Sequence, residues 1–139
     1  MRAFWLTISF LLFGSIALAQ SSLRIDKLEK KDLDQAGTEV GFSTVVEGTV
    51  NDPTLAVYVL VYQPHLKGWR LFPAAIRDEG GSHRWRTLCR FGEFDGTGLG
   101  GSYQVRAVAF SKDQIARGLP KKLPSDVLKS NTVVLKRTK

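Results

Sequence analysis

Three groups of residues in this sequence carry side chains suited to chemistry. The first is the pair of imidazoles, His65 and His83, with the single thiol Cys89. Nucleophilic catalysis needs a base held against a Ser or Cys and a third group orienting that base. No Gly-x-Ser-x-Gly elbow occurs, and each histidine falls in a turn or at a strand start, where an exposed loop imidazole is the simpler expectation. A copper site of the His/Cys type wants a second histidine near the cysteine and an axial methionine. None follows Cys89, and the one methionine is Met1. A zinc site finds no support in the spacing, so no cofactor is expected. A lone cysteine makes no intramolecular disulfide; Cys89 is read as a reactive thiol or, more simply, as a small buried hydrophobe.

The second group is Glu93 and Asp95 among Gly96, Gly98, Gly100 and Gly101. Carboxylates in a glycine loop suggest calcium and the glycines suggest phosphate. Yet two acids fall short of calcium's roughly 6–8 oxygens, and no Lys-Ser/Thr closes the loop as a P-loop requires. As a glycosidase pair they would share one poorly organised loop instead of flanking a scissile bond. The plainer account is a long mobile turn between two paired strands. The third group is a stripe of Arg84, Arg86 and Arg90, with Trp69, Tyr58 and Tyr62 expected nearby. Guanidinium forks grip carboxylate and phosphate, and aromatic faces stack on sugar rings, so together they would make a platform for a polyanion or glycan. The competing account is that the tryptophans pack in the core and the arginines are the wet face of a strand.

These residues need elements to hold them, and the pattern calls for strands. Leu55 to Pro64 is an uncharged β-branched and aromatic run bounded by Asn51-Asp52-Pro53 and Pro64, the signature of a strand buried on both faces. Gly41 to Val50 alternates before it, and the turn chemistry of Asn51 to Thr54 suggests a hairpin between the two. Ser21 to Leu28 reads as a short edge strand with Leu23, Ile25 and Lys27 on one side and Arg24, Asp26 and Leu28 on the other. Gly68 to Pro73 is a strand that proline confines to an edge, and Arg77 to Gly81 a polar loop. In Ser82 to Phe91, Trp85, Thr87, Cys89 and Phe91 share one face against Arg84, Arg86, Leu88 and Arg90. Ser102 to Ser111 alternates again, a helical turn is possible around Asp113 to Arg117, and Asn131 to Arg137 closes the chain with Val133 and Leu135 facing inward. No repeat or low-complexity segment is present.

Seven strands at this spacing form an antiparallel β-sandwich. The succession Val46-Glu47-Gly48-Thr49-Val50, Val57-Tyr58-Val59-Leu60-Val61, Gly68-Trp69-Arg70, Trp85 to Gly92 and Tyr103 to Ala109 resembles bacterial exported domains of the immunoglobulin-like or fibronectin type III-like kind. The resemblance covers roughly residues 42–137. It implies an all-β fold and a tendency toward binding or adhesion, not a reaction. The paired cysteines of antibody-type domains are absent, which excludes that branch.

Residues 1–19 carry Arg2, an apolar stretch and Ala17-Leu18-Ala19, the layout of a cleavable secretory leader, with an apolar run too short to span a membrane. Its removal would leave a single domain over 20–139, of 120 residues and formal charge +6 against +7 for the whole chain. The expected protein is therefore exported, periplasmic or extracellular, with no membrane span after cleavage. A spread basic charge in such a setting points to anionic envelope polysaccharide or another envelope protein as partner, not to nucleic acid. The leading expectation is a non-enzymatic binding module. The alternatives are an assembly subunit pairing through its first or last strand, and a small hydrolase built on His83 and Glu93.

Overall fold

The computed structural model describes residues 21–79, 82–118, 123 and 127–139. The expected leader, Gly80-Gly81, Pro120 and Pro124 lie outside the described residues. The elements in chain order are β1 (Leu23–Leu28), β2 (Lys31–Asp32), α1 (Leu33–Ala36), β3 (Glu39–Val40), β4 (Ser43–Val50), β5 (Ala56–Gln63), β6 (Gly68–Pro73), β7 (Ala75–Glu79), β8 (Ser82–Arg90), β9 (Ser102–Phe110), α2 (Lys112–Ala116) and β10 (Leu128–Arg137). They form two five-stranded sheets: a first sheet in the order β2–β1–β4–β8–β7 and a second in the order β3–β10–β9–β5–β6. Pairing is antiparallel throughout except between β3 and β10.

Period-two alternation builds one core between the sheets. From the first sheet come Ile25, Val46, Val50, Trp85 and Cys89; from the second come Val57, Val59, Val61, Tyr103, Val105 and Leu135, all buried. Each aliphatic side chain so buried contributes about 1.5–3 kcal/mol. Gly48 makes room for the largest of them. A Cβ there would lie 2.3 Å from the Trp85 ring and 1.9 Å from the Arg24 carbonyl oxygen, so the bare backbone lets the indole cross β4 and donate to the Thr49 carbonyl at 3.1 Å. One end of β5 is covered on its far side as well, where Leu60 joins Val108, Phe110 and Val127 in a second cluster beside Tyr58 and Ile115. Ser111 starts α2 with a capping box: its hydroxyl accepts from the Gln114 N–H while the Gln114 side chain accepts from the Ser111 N–H.

Several expectations are corrected. The connection from β4 to β5 is not a hairpin. Both flanks of β4 are taken by β1 and β8, so the chain crosses to the other sheet, although the Asp52 carboxylate does accept from the Thr54 N–H at 2.9 Å as a turn residue should. Likewise β8 and β9 do not pair, and the glycine loop between them is a crossover. Arg77 lies not in a loop but on β7, whose polar edge alternation pairs with β8. A bulge between Ile25 and Lys27 returns Leu28, instead of Lys27, to the core.

A second bulge, between Lys129 and Thr132 of β10, presents Asn131 to the first sheet. Its side-chain oxygen accepts from the Ile25 N–H at 3.0 Å and its amide nitrogen donates to the Ile25 carbonyl at 3.2 Å. One amide thus stands in for a paired strand across the seam between β1 and β10. At the opposite seam the chain steps through Ala74 from β6, an edge as Pro73 led one to expect, to β7.

Candidate functional site

The three groups of candidate residues occupy three separate places. The arginines lie outward on the first sheet and the aromatics outward on the second, so the expected single platform is split between opposite faces.

On the second sheet, Tyr62 of β5 stands directly across from Trp69 of β6, their rings edge to face with centroids 5.4 Å apart. Arg106 of β9 lays its guanidinium over the Trp69 ring at 5.8 Å, and its Nε donates to the Thr132 hydroxyl at 3.2 Å, which fixes the plane of the fork. Around this trio Trp69, Leu71 and Val134 are 40, 42 and 55% exposed. The long strands β6, β5, β9 and β10 turn Arg106, Lys129 and Lys136 to this side and no carboxylate; Glu39 of β3 borders Lys136 at the far edge. Tyr58 belongs to the covered end of the face, edge to face with Phe110 at 5.9 Å. Arg106 is the residue that sequence reading left out. Its outward position followed from alternation, but its place beside Trp69 depends on the pairing of β9 with β5.

On the first sheet, cross-strand register builds rows. Arg24, Thr49, Arg84 and Arg77 fall in one row across β1, β4, β8 and β7, and Lys27, Glu47 and Arg86 in the next. Arg84 forks the Asp26 carboxylate with bonds of 3.0 and 2.8 Å and is half-buried. Arg90 is exposed further along β8, opposite Ser43. A small cavity of about 30 Å³ lies among Glu47, Arg77, Arg84, Trp85 and Arg86.

The glycine loop is organised by its own hydrogen bonds. Buried Arg137 donates through Nη1 to the carbonyls of Phe91, Glu93 and Thr97 at 2.9, 3.0 and 3.2 Å. The Tyr103 hydroxyl donates to the Gly98 carbonyl at 2.8 Å, and Gly98 has a φ of +88°, where a side chain would also collide with that hydroxyl. Glu93 receives the Nε2 of His65 at 3.1 Å and a guanidinium nitrogen of Arg70, and these two donors hold its carboxyl below the usual carboxylate range. Asp95 is lowered in the same sense by the Thr97 backbone N–H it accepts at 2.9 Å. Both acids are therefore engaged within the fold, not arranged around an empty centre.

His83 bonds Asp78 at the start of β8, whereas Glu93 follows the other end of that strand beside His65, so His83 and Glu93 form no common site. Cys89 is fully buried, and burial pushes its thiol up to about 12. Among the described residues no group of three or more His, Cys, Asp or Glu is placed to hold a metal ion, and no helix is long and apolar enough to cross a membrane. Compared with models of known protein families and with curated proteins, the chain matches none.

Proposed function

We propose that this chain is an exported, non-enzymatic binding module with an immunoglobulin-like sandwich, and that the outer face of its second sheet receives an acidic polysaccharide. Strand order supports the fold. In the immunoglobulin plan one sheet runs A-B-E-D and the other carries C, F and G. Here β1, β4, β8 and β7 follow the first order, and β10, β9, β5 and β6 follow G, F and C with one strand added. A tyrosine near the start of strand F, bonding back to the preceding corner, is a further mark of that plan. Tyr103 does this with Gly98. Trp85 departs from it, standing on the strand in the E position where antibody-type domains bury theirs on C.

The observation that carries the function is the Tyr62–Trp69–Arg106 trio on an outward face whose four long strands bring cations and no carboxylate. Aromatic rings offer a sugar an apolar surface, and the terminal nitrogens of Arg106, unbonded among the described residues, offer a carboxylate its matching fork. Titration calorimetry with a hexuronate oligomer, with a neutral glucan oligomer as control, tests the reading. Trp69→Ala and Arg106→Gln should each weaken hexuronate binding about tenfold, the worth of roughly 1.4 kcal/mol. Raising salt should weaken it too. Equal affinity for the neutral oligomer, or no response to either substitution, would remove the reading. The export half is tested separately, by whether the processed protein begins at Gln20.

A further inference from the structure

The first sheet offers a second cationic face, and the argument for it rests on the reading just given. On that face β1, β4 and β8 turn out Arg24, Lys27, Arg84, Arg86 and Arg90 against Asp26 and Glu47, and β7 adds Arg77 and, at its end opposite Ser82, the position of Glu79. Asp26 is neutralised by the Arg84 fork. Asp32 and Asp34 border a groove beyond Arg24, so the β1 margin is mixed in charge; the arginines gather on β8, beside Arg77 of β7, whose neighbour Asp78 is engaged by His83. There Arg77 and Arg84 of one row and Arg86 of the next, three cations against the single carboxylate of Glu47, line a cavity of about 30 Å³, room for about one oxygen of a ligand. Rows on a strand repeat every two residues, about 6.6–7 Å, and neighbouring strands stand about 4.8 Å apart. A charged group bound there meets guanidinium groups from two strands at once.

This face and the Trp69 face are on opposite sides of a two-layer molecule. The sheets alone are separated by about 10 Å, and outward side chains widen the gap. A single extended polymer segment lying on one face does not reach the other. We propose that Arg77 and Arg86 form a second site for the same acidic polysaccharide, and that the domain thereby bridges two polymer chains. Charge complementarity selects this occupant over a second copy, which would set one arginine row against another.

The test uses the processed protein with polygalacturonate, as short oligomers and as long polymer. Calorimetry with the oligomers should give two molecules bound per protein, falling to one in Arg77→Ser/Arg86→Ser, while Trp69→Ala keeps two and weakens one of them about tenfold. Arg84 is left in place because it holds Asp26. Long polymer should scatter light in a maximum at intermediate protein-to-polymer ratio, as a bivalent linker requires, and the double arginine variant should abolish that maximum. One oligomer per wild-type protein, with the site on the Trp69 face, would overturn bridging while leaving the proposed function standing. No oligomer bound at either face would overturn both. Binding to anionic phospholipid vesicles through Arg77 and Arg86, without oligomer at that face, would overturn bridging in favour of a membrane surface.

Discussion

Cys89 illustrates how burial decides a residue's chemistry. Its thiol sits in the core and its pKa is raised to about 12 by desolvation alone, so at neutral pH it is a protonated hydrophobe. A folded pKa above the free value favours the folded state only while the unfolded thiol is also protonated. Stability is therefore complete below about pH 9 and declines between about pH 9 and 12, by up to about 1.4 kcal/mol per pH unit. Chemical denaturation of the wild type and of Cys89→Val across that range should diverge by this slope, and a thiol reagent should label the protein only as it unfolds. Parallel slopes would show that the thiol does not titrate differently in the two states. The inward position of Cys89 was readable from the alternation of Trp85, Thr87 and Cys89. Leu28 was not, because the bulge that turns it inward is imposed by the register with β4 and leaves no mark in Arg24-Ile25-Asp26-Lys27 itself.

At the scale of elements, the seven long strands were legible because each carries its own period and its own turn residues. Their partners were not. Asp52 makes the turn its chemistry promises, yet whether β5 returns beside β4 or passes to the other sheet depends on β8, more than thirty residues on, taking that flank. β7 was missed because an edge strand with little to bury looks like a loop, and β2 and β3, of two residues each, have no period to detect. Gly48 is where such long-range packing converges. Gly48→Ala would drive a methyl into the Arg24 carbonyl and the Trp85 ring together, and backbone on one side and a fully buried indole on the other leave little to yield. The expected cost is about 3 kcal/mol, read as a lowered denaturation midpoint with the indole fluorescence shifted. A midpoint within experimental scatter of wild type would mean that β1 and β4 separate more easily than their register implies.

For the molecule as a whole, the sequence supplied the ingredients of a recognition surface but not their distribution. The outward stripe of Arg84, Arg86 and Arg90 followed from alternation, whereas Tyr62 lay in a run read as buried on both faces and Trp69 was left between platform and core; alternation cannot say which of two sheets a strand joins, and that choice separates the cations of β8 from the aromatics of β5 and β6. Arg24, Arg77 and Arg106 entered only through cross-strand register. The margins of the sheets were half legible: β1 and β10 do lie near them, but they face each other, and the Asn131 amide ties them together through both polar groups of Ile25. That tie has a lifetime. Asparagine is among the side chains that water hydrolyses on heating and storage, and conversion to aspartate would keep the acceptor for the Ile25 N–H while replacing the donor to the Ile25 carbonyl with a negative oxygen. Asn131→Asp reproduces the aged molecule, and it should melt several degrees below the wild type, with faster amide exchange at Ile25 than at Val46 in the adjoining strand.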